Sequence, residues 1–497
     1  MAFVAGIFNE ENKPMRVLVL NPMTQKSKNI IRDVVYGCWC NGKRIGGATV
    51  PPFILVTISS LLRRDGINTD FLDAQAEQVP PEQMSERIKA YDVVVMSTST
   101  MTFQEDANYL LGLKRCRPGL LTVLFGSHAT FMPRYCLAHT GVDIIVKHDP
   151  EWIIRDLMLL IAEGKDYGEL KGIGYRGPNG VVINDDHPEK DNLNNLPIPD
   201  VDLLPKRIDY FNPIVKRTPY MTTSTSRGCP AKCTFCTAPT FHGTNVRFQS
   251  AERVIEEIEY YVKKGIKEIY FRDDTFFVNK KRDLAIFDHI IKNKIDVTWI
   301  ANARVGLMDE NTMKMAKLAG CHTIKFGIES GLQEILDGMK KGYKIERALE
   351  IFDLTRKYGV KTHAHIMLGN PGDSRASIEE TIKFALRLDP TTATFGICTP
   401  YPGTPLFSMV QEKYPEIGDG SSSDLSNLHV KGLFNEHFTS LKKEELRDMV
   451  FYAYRKFYLR PSYWLKSFKT QVTGLDDIKR LSIAATNIFS FIASREN

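Results

Sequence analysis

The sequence of 497 residues predicts an α/β protein in three parts: an N-terminal doubly wound parallel sheet, a partial barrel of six β/α units, and a mostly helical C-terminal segment. Three observations carry this. Short β-branched runs alternate with longer amphipathic segments from about residue 15 to 165, and again from about 219 to 399. A stretch rich in Gly, Pro, Asn and Asp, at about 168–213, separates the two runs. The length exceeds what one ordinary core holds and implies two or three domains.

In the first part, residues 1–165, the candidate strands are 16–21, 68–73, 92–98, 121–126 and 142–147, giving five parallel strands. Ligands of such sheets bind at the carboxyl ends of the strands. Here those ends are Asn21-Pro22, Asp73-Ala74, Ser97-Thr98-Ser99-Thr100 and Gly126-Ser127-His128-Ala129-Thr130. Small and hydroxyl residues there admit a large flat ligand and offer hydrogen bonds to its amides. No Gly-x-Gly-x-x-Gly follows the first strand, which argues against a dinucleotide.

Residues 166–215 carry Gly177-Pro178-Asn179-Gly180 and Leu196-Pro197-Ile198-Pro199-Asp200, the punctuation of a hairpin and a linker. Residues 216–406 hold candidate strands at 220–225, 267–271, 297–302, 323–328, 362–368 and 394–398, the first five each followed by a helix-length segment. Chemistry in a β/α barrel sits at the carboxyl ends of its strands. Residues 407–497 read as helical, with a charged run Lys442-Lys443-Glu444-Glu445 and an aromatic-rich stretch at 451–463 expected to close the open side of the barrel.

A net charge of +6 over 65 basic and 59 acidic residues, with no long basic run, does not favour a nucleic-acid partner. Nine cysteines, three of them in one loop, do not form a secreted disulfide framework and point to a reducing cytoplasm. The first ten residues lack the basic and apolar regions of a signal peptide. The longest apolar runs, near 52–62 and 483–493, fall short of the roughly 20 residues of a membrane span, so no transmembrane segment is expected.

The strongest chemical statement is Ser226-Arg227-Gly228-Cys229-Pro230-Ala231-Lys232-Cys233-Thr234-Phe235-Cys236, directly after the first barrel strand. Three thiolates on one tight loop can hold three irons of a [4Fe-4S] cluster and leave the fourth iron open, whereas a structural zinc site normally recruits a fourth ligand. A zinc knuckle and a structural cysteine cluster are the rival readings. Four further motifs fall at barrel strand ends: Phe271-Arg272-Asp273-Asp274-Thr275-Phe276, Phe326-Gly327-Ile328-Glu329-Ser330-Gly331, Gly369-Asn370-Pro371-Gly372-Asp373 and Thr399-Pro400-Tyr401-Pro402-Gly403-Thr404-Pro405.

The C-x3-C-x2-C spacing, with an aromatic residue before its last cysteine, resembles the cluster loop of the radical S-adenosylmethionine (SAM) enzymes. With the other motifs and the sheet ahead of them, nearly the whole chain resembles their cobalamin-dependent branch, the class B methylases. The resemblance implies a Rossmann-like cobalamin-binding domain, a radical SAM partial barrel, and three cofactors: a [4Fe-4S] cluster, SAM and cobalamin. It implies Cys229, Cys233 and Cys236 as cluster ligands. Phe235 would stack on the adenine, Asp274 and Glu329 would accept hydrogen bonds from the ammonium or ribose of SAM, and Arg304 would pair with its carboxylate. Asp73, Ser97, Thr98, Ser99, Gly126, His128 and Ala129 would surround cobalamin. The plainer readings are core filling for Phe235, helix capping for Asp273 and Glu329, a surface salt bridge for Arg304, and a local hydrogen bond for His128.

The chain departs from related patterns in three places. After Asp73 come Ala74 and Gln75, so the Asp-x-His-x-x-Gly that supplies a histidine to cobalt in other cobalamin proteins is missing. Lys147-His148-Asp149-Pro150-Glu151 stands where Gly-Glu-x-Glu is commoner, and Cys38-Trp39-Cys40 reads by default as buried thiols around an aromatic.

The reaction implied is methylation of an unreactive carbon. One SAM methylates cob(I)alamin, a second yields a 5′-deoxyadenosyl radical, and the substrate radical captures the methyl group from methylcobalamin. A cyclase or rearrangement enzyme without methyl transfer, and a non-catalytic corrinoid and iron-sulfur electron-transfer module, are the alternatives. An external donor such as flavodoxin or ferredoxin is implied. The substrate stays open between a small molecule, a lipid, a tetrapyrrole and a peptide.

Overall fold

The computed structural model describes residues 14–26, 30–32, 48–187, 192–206, 208, 210–428, 432–471 and 475–493; the Cys38-Trp39-Cys40 triplet lies outside them. The N-terminal sheet has strands β1 (Arg16–Asn21), β2 (Asn68–Asp73), β3 (Val93–Ser97), β4 (Leu121–Phe125) and β5 (Ile144–Val146), all parallel. The expected hairpin forms as β6 (Ile173–Gly177) and β7 (Gly180–Ile183), but it joins the edge of this sheet antiparallel to β5. The order β2-β1-β3-β4-β5-β6-β7 places the topological switch between β1 and β3.

The runs Val93–Ser97 and Leu121–Phe125 are buried at every position, because helices cover both faces. On one face lie α1 (Phe53–Arg64) and, later in the chain, the helix Pro150–Ala162; on the other lie segments including α2 (Pro81–Arg87), α3 (Phe103–Cys116), α4 (Ser127–Phe131) and α5 (Pro133–Ala138), which makes Pro150–Ala162 α6.

The second sheet runs β8 (Tyr220–Thr223), β11 (Glu268–Phe271), β12 (Thr298–Ala303), β13 (Cys321–Glu329), β14 (Lys361–Leu368) and β15 (Thr392–Ile397), six neighbouring parallel strands in chain order. Between its first two members a small ladder, β9 (Ser226–Arg227) with β10 (Arg247–Phe248), frames the cysteine loop and the short α7 (Ala238–Phe241). The first barrel strand stops at Thr223, short of the expected 225, because Asp273 draws the chain away: it accepts from Thr225 N at 2.8 Å and Ser226 Oγ at 2.6 Å. The connecting helices are α8 (Ala251–Lys263), α9 (Lys280–Lys292), α10 (Glu310–Leu318), α11 (Gln333–Gly338), α12 (Ile345–Tyr358) and α13 (Arg375–Leu388). Ser250, Asn279, Asp309 and Ser374 cap four of them through their side chains.

The tail comprises α14 (Pro405–Lys413), α15 (Lys443–Tyr458), α16 (Pro461–Gln471) and α17 (Leu475–Ala493). Its aromatic stretch serves the outer edge of β15. Tyr458 Oη accepts from Ala393 N at 3.0 Å and donates to Ala393 O at 2.6 Å, and Tyr454 Oη accepts from Phe395 N at 3.4 Å. Tyrosine hydroxyls thus occupy backbone groups that an uncovered edge would leave open. No helix among the described residues is long and apolar enough to cross a membrane.

Candidate active site

The cysteine loop is held at the carboxyl end of the barrel by contacts from three sides. Gly228 N donates to Asp274 Oδ2 at 2.9 Å, Thr234 N to Met339 O at 3.1 Å, and Leu406 N to Thr234 O at 2.8 Å. The Thr399–Pro405 motif makes the last contact possible: Thr404 caps α14, and Gly403 O accepts from Thr240 Oγ1 at 2.8 Å. Cys229 and Cys233 are buried and Cys236 is half-buried. Burial raises the thiol pKa of Cys229 and Cys236, so a bound cation is what would keep them as thiolates. Among the described residues no three Cys, His, Asp or Glu side chains converge on one metal ion. Three thiols on one loop can hold three irons of a cluster and leave the fourth open, whereas a structural zinc shell recruits a fourth ligand.

Arg304, just past β12, donates from Nη1 to Cys233 Sγ at 3.3 Å and from Nη2 to Lys341 O. It is therefore placed at the cysteines and not in a surface salt bridge. Glu329 ends β13, where the pairing with β14 shifts register between Gly327 and Glu329 and Glu329 takes φ of +66°. Such a bulge re-aims a side chain. The Glu329 carboxylate accepts from Lys341 Nζ at 2.7 Å, with both side chains under a tenth exposed. A Cβ on Gly327 would lie 2.4 Å from Glu329 Oε1 and 2.8 Å from Lys341 Nζ, so the pair needs glycine there. Lys341 Nζ also lies 5.5 Å from the centroid of the half-buried Phe235 ring. Phe235, Arg304, Glu329 and the cysteines thus meet around Lys341, which the sequence reading missed. Neither Asp273 nor Glu329 caps a helix, since Asn279 begins α9 and Leu332 begins α11. Gly369-Asn370-Pro371-Gly372-Asp373 is a turn whose Asp373 accepts from Asn370 N at 2.8 Å and Ser377 Oγ at 2.6 Å.

A cleft of about 1070 Å³ joins the carboxyl ends of the two sheets. Asn21, Asp73, Gln75 and Ser97 line it from the N-terminal side, and Thr222, Ser224, Arg227, Arg272 and Asp274 from the barrel. Asp73 is braced: it accepts from Asn21 Nδ2 at 2.8 Å, Tyr210 Oη at 2.8 Å and Ala76 N at 3.0 Å. Gln75, where a cobalt-ligating histidine would stand, donates to Asn21 Oδ1 at 2.9 Å and accepts from Ile30 N at 2.6 Å.

Thr98 and Ser99 lie behind this wall. Thr98 Oγ1 donates to Asp106 Oδ2 at 2.8 Å, Ser99 Oγ pairs with Thr102 Oγ1 at 2.9 Å, and Asp106 holds the buried Arg32 with contacts from 2.6 Å. Gly126 adopts φ of +122°, and a Cβ there would stand 2.4 Å from Thr98 O. His128 and Ala129 are buried on the α3 and α5 side. The His128 ring centroid lies 4.9 Å from that of Phe103 and 5.8 Å from that of Tyr135, and burial pushes its pKa down to about 3. Neither ring nitrogen has a hydrogen-bond partner among the described residues, so the expected local hydrogen bond is not formed. Of the seven residues expected around cobalamin, Asp73 and Ser97 reach the cleft wall. The lining combines apolar side chains, among them Ile30, Pro52, Phe53 and Leu55, with the hydroxyls of Thr49, Ser97, Thr222 and Ser224, a mixture that suits a large, partly apolar ligand.

The unusual Asp149-Pro150-Glu151 segment closes the seam between the parts. Buried Arg227 donates to both carboxylate oxygens of Glu151, the longer contact being 2.9 Å, and lies 3.1 Å from Asp149 Oδ1. His242 Nδ1 stands 2.7 Å from the same oxygen, and Arg247 also reaches Asp149. Burial opposes the charge of Asp149, yet His242 and Arg227 hold its carboxyl well below the usual range.

Two family models match the chain: the B12 binding domain over residues 46–156 and the Radical SAM superfamily over residues 223–385. An uncharacterized methyltransferase of Pyrococcus horikoshii is 32% identical over 469 residues, which cover 91% of this chain and 95% of the relative. An anaerobic magnesium-protoporphyrin IX monomethyl ester cyclase of Rubrivivax gelatinosus is 27% identical over 434 residues, 84% of this chain and 76% of that protein. In fold the chain matches the cobalamin-dependent SAM radical enzyme OxsB, with a TM-score of 0.69 at 16% identity, over 97% of this chain and 72% of the other. The B12-binding sheet, the cysteine loop and the barrel behind it, together with a relative matched over nearly its whole length, place the chain in the cobalamin-dependent radical SAM family, whose cofactors are a [4Fe-4S] cluster, SAM and cobalamin.

Proposed function

We propose that the chain is a C-methyltransferase that moves a methyl group from SAM, by way of the corrinoid, to an unactivated carbon. The observation that carries this reading is the shared cleft, in which the strand ends of the B12-binding sheet face those of the barrel. The methyltransferase name of the Pyrococcus relative supports it. When bound, the cluster and SAM supply a 5′-deoxyadenosyl radical and cobalamin supplies the methyl carrier.

The residues divide the work by position. Cys229, Cys233 and Cys236 hold the cluster, and Arg304 pairs with the carboxylate of SAM while donating to Cys233. Glu329, oriented by Lys341, accepts from the ammonium; Asp274 serves the ribose and Phe235 the adenine. Asp73 and Ser97 face the corrinoid, while Thr98, Ser99, Gly126, His128 and Ala129 support that wall from behind. With Gln75 bracing the strand ends, no histidine is delivered from the loop after β2. A flavodoxin or ferredoxin in a reducing cytoplasm provides the electron.

Anaerobic incubation with SAM, reductant and cobalamin should form S-adenosylhomocysteine and 5′-deoxyadenosine together. A preparation that retains no corrinoid overturns the reading. The match to a cyclase gives one specific second reading, ring formation without methyl transfer; isotope from the SAM methyl group appearing in product excludes it. Loss of SAM cleavage in Cys233→Ala excludes a purely electron-transferring module.

A further inference from the structure

A second cavity, of about 320 Å³, opens at the amino ends of the barrel strands, opposite the cysteine loop. Lys216 of the linker before β8, His322 of β13, Lys361 and Thr362 of β14, Thr391 just ahead of β15 and Arg480 of α17 line it. No Asp or Glu is among its lining residues. The space holds a small ion with a few waters, each of which takes about 30 Å³. Nothing in the methyl-transfer reading uses it.

The polar groups around this cavity are donors in excess. Lys361, half-buried at the first position of β14, makes no hydrogen bond or ion pair among the described residues. Burial, then the charges of Arg480 and Lys216, push its pKa down to about 8, with Asp477 and Glu268 pulling the other way. The exposed Lys216 ammonium is likewise unpaired among the described residues. Thr362 Oγ1 accepts from Thr391 N at 3.3 Å and Thr391 Oγ1 from Thr362 N at 3.1 Å, which leaves both hydroxyl protons without an acceptor among the described residues. Arg480 donates to Val215 O at 2.6 Å and to Asp477 Oδ1 at 2.5 Å, while its buried Nε has no partner among the described residues. Glu268, beside His322, is filled by other donors: Lys216 N at 3.0 Å, Arg217 N at 2.9 Å, Thr298 Oγ1 at 2.8 Å and His322 Nε2 at 2.9 Å. Donors left unmatched where water is reduced cost stability until an acceptor arrives.

We infer that this cavity binds a phosphate group, free or carried as a monoester by a small metabolite. Lys361 and the hydroxyls of Thr362 and Thr391 hold it, and Arg480 and Lys216 add charge. A carboxylate presents two coplanar oxygens. Phosphate presents three or four on several sides and up to two charges, which matches donors arriving from two strands, a linker and a helix. Bound there, the anion ties α17 and the linker to the base of the barrel, the face that serves stability rather than chemistry in a β/α barrel. The site is separate from the cleft and stands whether or not a methyl group is transferred.

Calorimetric titration of the anaerobically purified, cofactor-loaded protein with inorganic phosphate, glycerol 3-phosphate and acetate tests this. Saturable binding of a phosphate probe is expected; tighter binding of the monoester assigns a phosphorylated metabolite, and equal or tighter binding of inorganic phosphate assigns the free ion. Lys361→Met should weaken that probe about tenfold or more, the loss of one charged hydrogen bond, while Lys361→Arg keeps most of the affinity. Unchanged cluster and corrinoid absorbance certifies the fold. Should Lys361→Met lose either, Lys216→Met, on an exposed side chain, carries the comparison with a loss of about two- to fivefold. Phosphate should also slow hydrogen exchange along α17 in wild type and not in Lys361→Met. Absence of saturable binding by both phosphate probes, acetate binding as tightly as phosphate, or equal affinity in wild type and variant overturns the site.

Discussion

Glu151→Ala would strand Arg227 in the seam between the B12-binding part and the cysteine loop. Arg227 is buried, its guanidinium shared between both oxygens of Glu151 and Asp149 Oδ1 at 3.1 Å. Removing one partner of a buried ion pair costs about 3–5 kcal/mol, because the survivor keeps its desolvation penalty. Asp149 remains to face Arg227, so the lower end, about 3 kcal/mol, applies. An unfolding entropy of about 2.1 cal/mol/K per residue gives roughly 1 kcal/mol/K for a chain of this length, and hence a midpoint lowered by about 3 °C if it melts as one unit.

The assay is differential scanning calorimetry under anaerobic conditions on wild type, Glu151→Ala, Arg227→Met and the double variant Glu151→Leu with Arg227→Met. Removing both charges should recover much of the loss, since neither is left buried alone. The pH dependence has a defined sign. The carboxyl of Asp149 is depressed on folding, so its stabilisation is fully present above the ordinary carboxylate range and is lost as pH falls through the depressed value. A Glu151→Ala midpoint within 1 °C of wild type, or a double variant as unstable as the two single losses added, would refute the clamp.

Three further outcomes follow from single contacts. Gly126→Ala, with its Cβ 2.4 Å from Thr98 O at a positive φ, should cost about 2 kcal/mol or more and lower corrinoid retention, both read on the purified protein. Tyr458→Phe removes both hydrogen bonds to Ala393 and should cost about 1–3 kcal/mol, seen as faster hydrogen exchange at the edge of β15. Lys341→Met leaves Glu329 buried without its cation and should weaken SAM binding at least about tenfold in anaerobic equilibrium dialysis; an unchanged affinity would remove Lys341 from the site.

The strands were legible because a sheet covered on both faces demands continuous β-branched runs, as in Val93–Ser97. The cysteine loop was legible because its chemistry is written in local spacing. Lys341 was not: it meets Glu329 twelve residues away through a bulge, and nothing in Lys340-Lys341-Gly342 distinguishes it from a solvated basic run. Arg32 and Asp106, 74 residues apart, are hidden for the same reason. His128 shows a different limit. Its place at a strand end was readable, but the turn into α4 decides which way its ring points, and that turn sends it to Phe103 and Tyr135. The Gly177-Pro178-Asn179-Gly180 turn likewise marks a hairpin without revealing that it extends the first sheet.

The two parts of the cleft are held by shared packing more than by the linker that joins them in sequence. Cys229, Ala238 and Phe241 of the cysteine region pack in the apolar cluster of the N-terminal sheet with Leu55 and Ile58 of α1, while Val56 of the same helix packs in the barrel core. Thr222 Oγ1 of the first barrel strand donates to Pro51 O at 2.6 Å, just before α1 begins. Arg227, two residues ahead of Cys229, adds the buried charge pair. A methyl carrier and a radical source must stand at a fixed separation for a substrate to lie between them, and positioning errors of about an ångström are costly in catalysis. The helix α1 and the Arg227 clamp set that separation from within the cores, so the gap follows from side-chain packing.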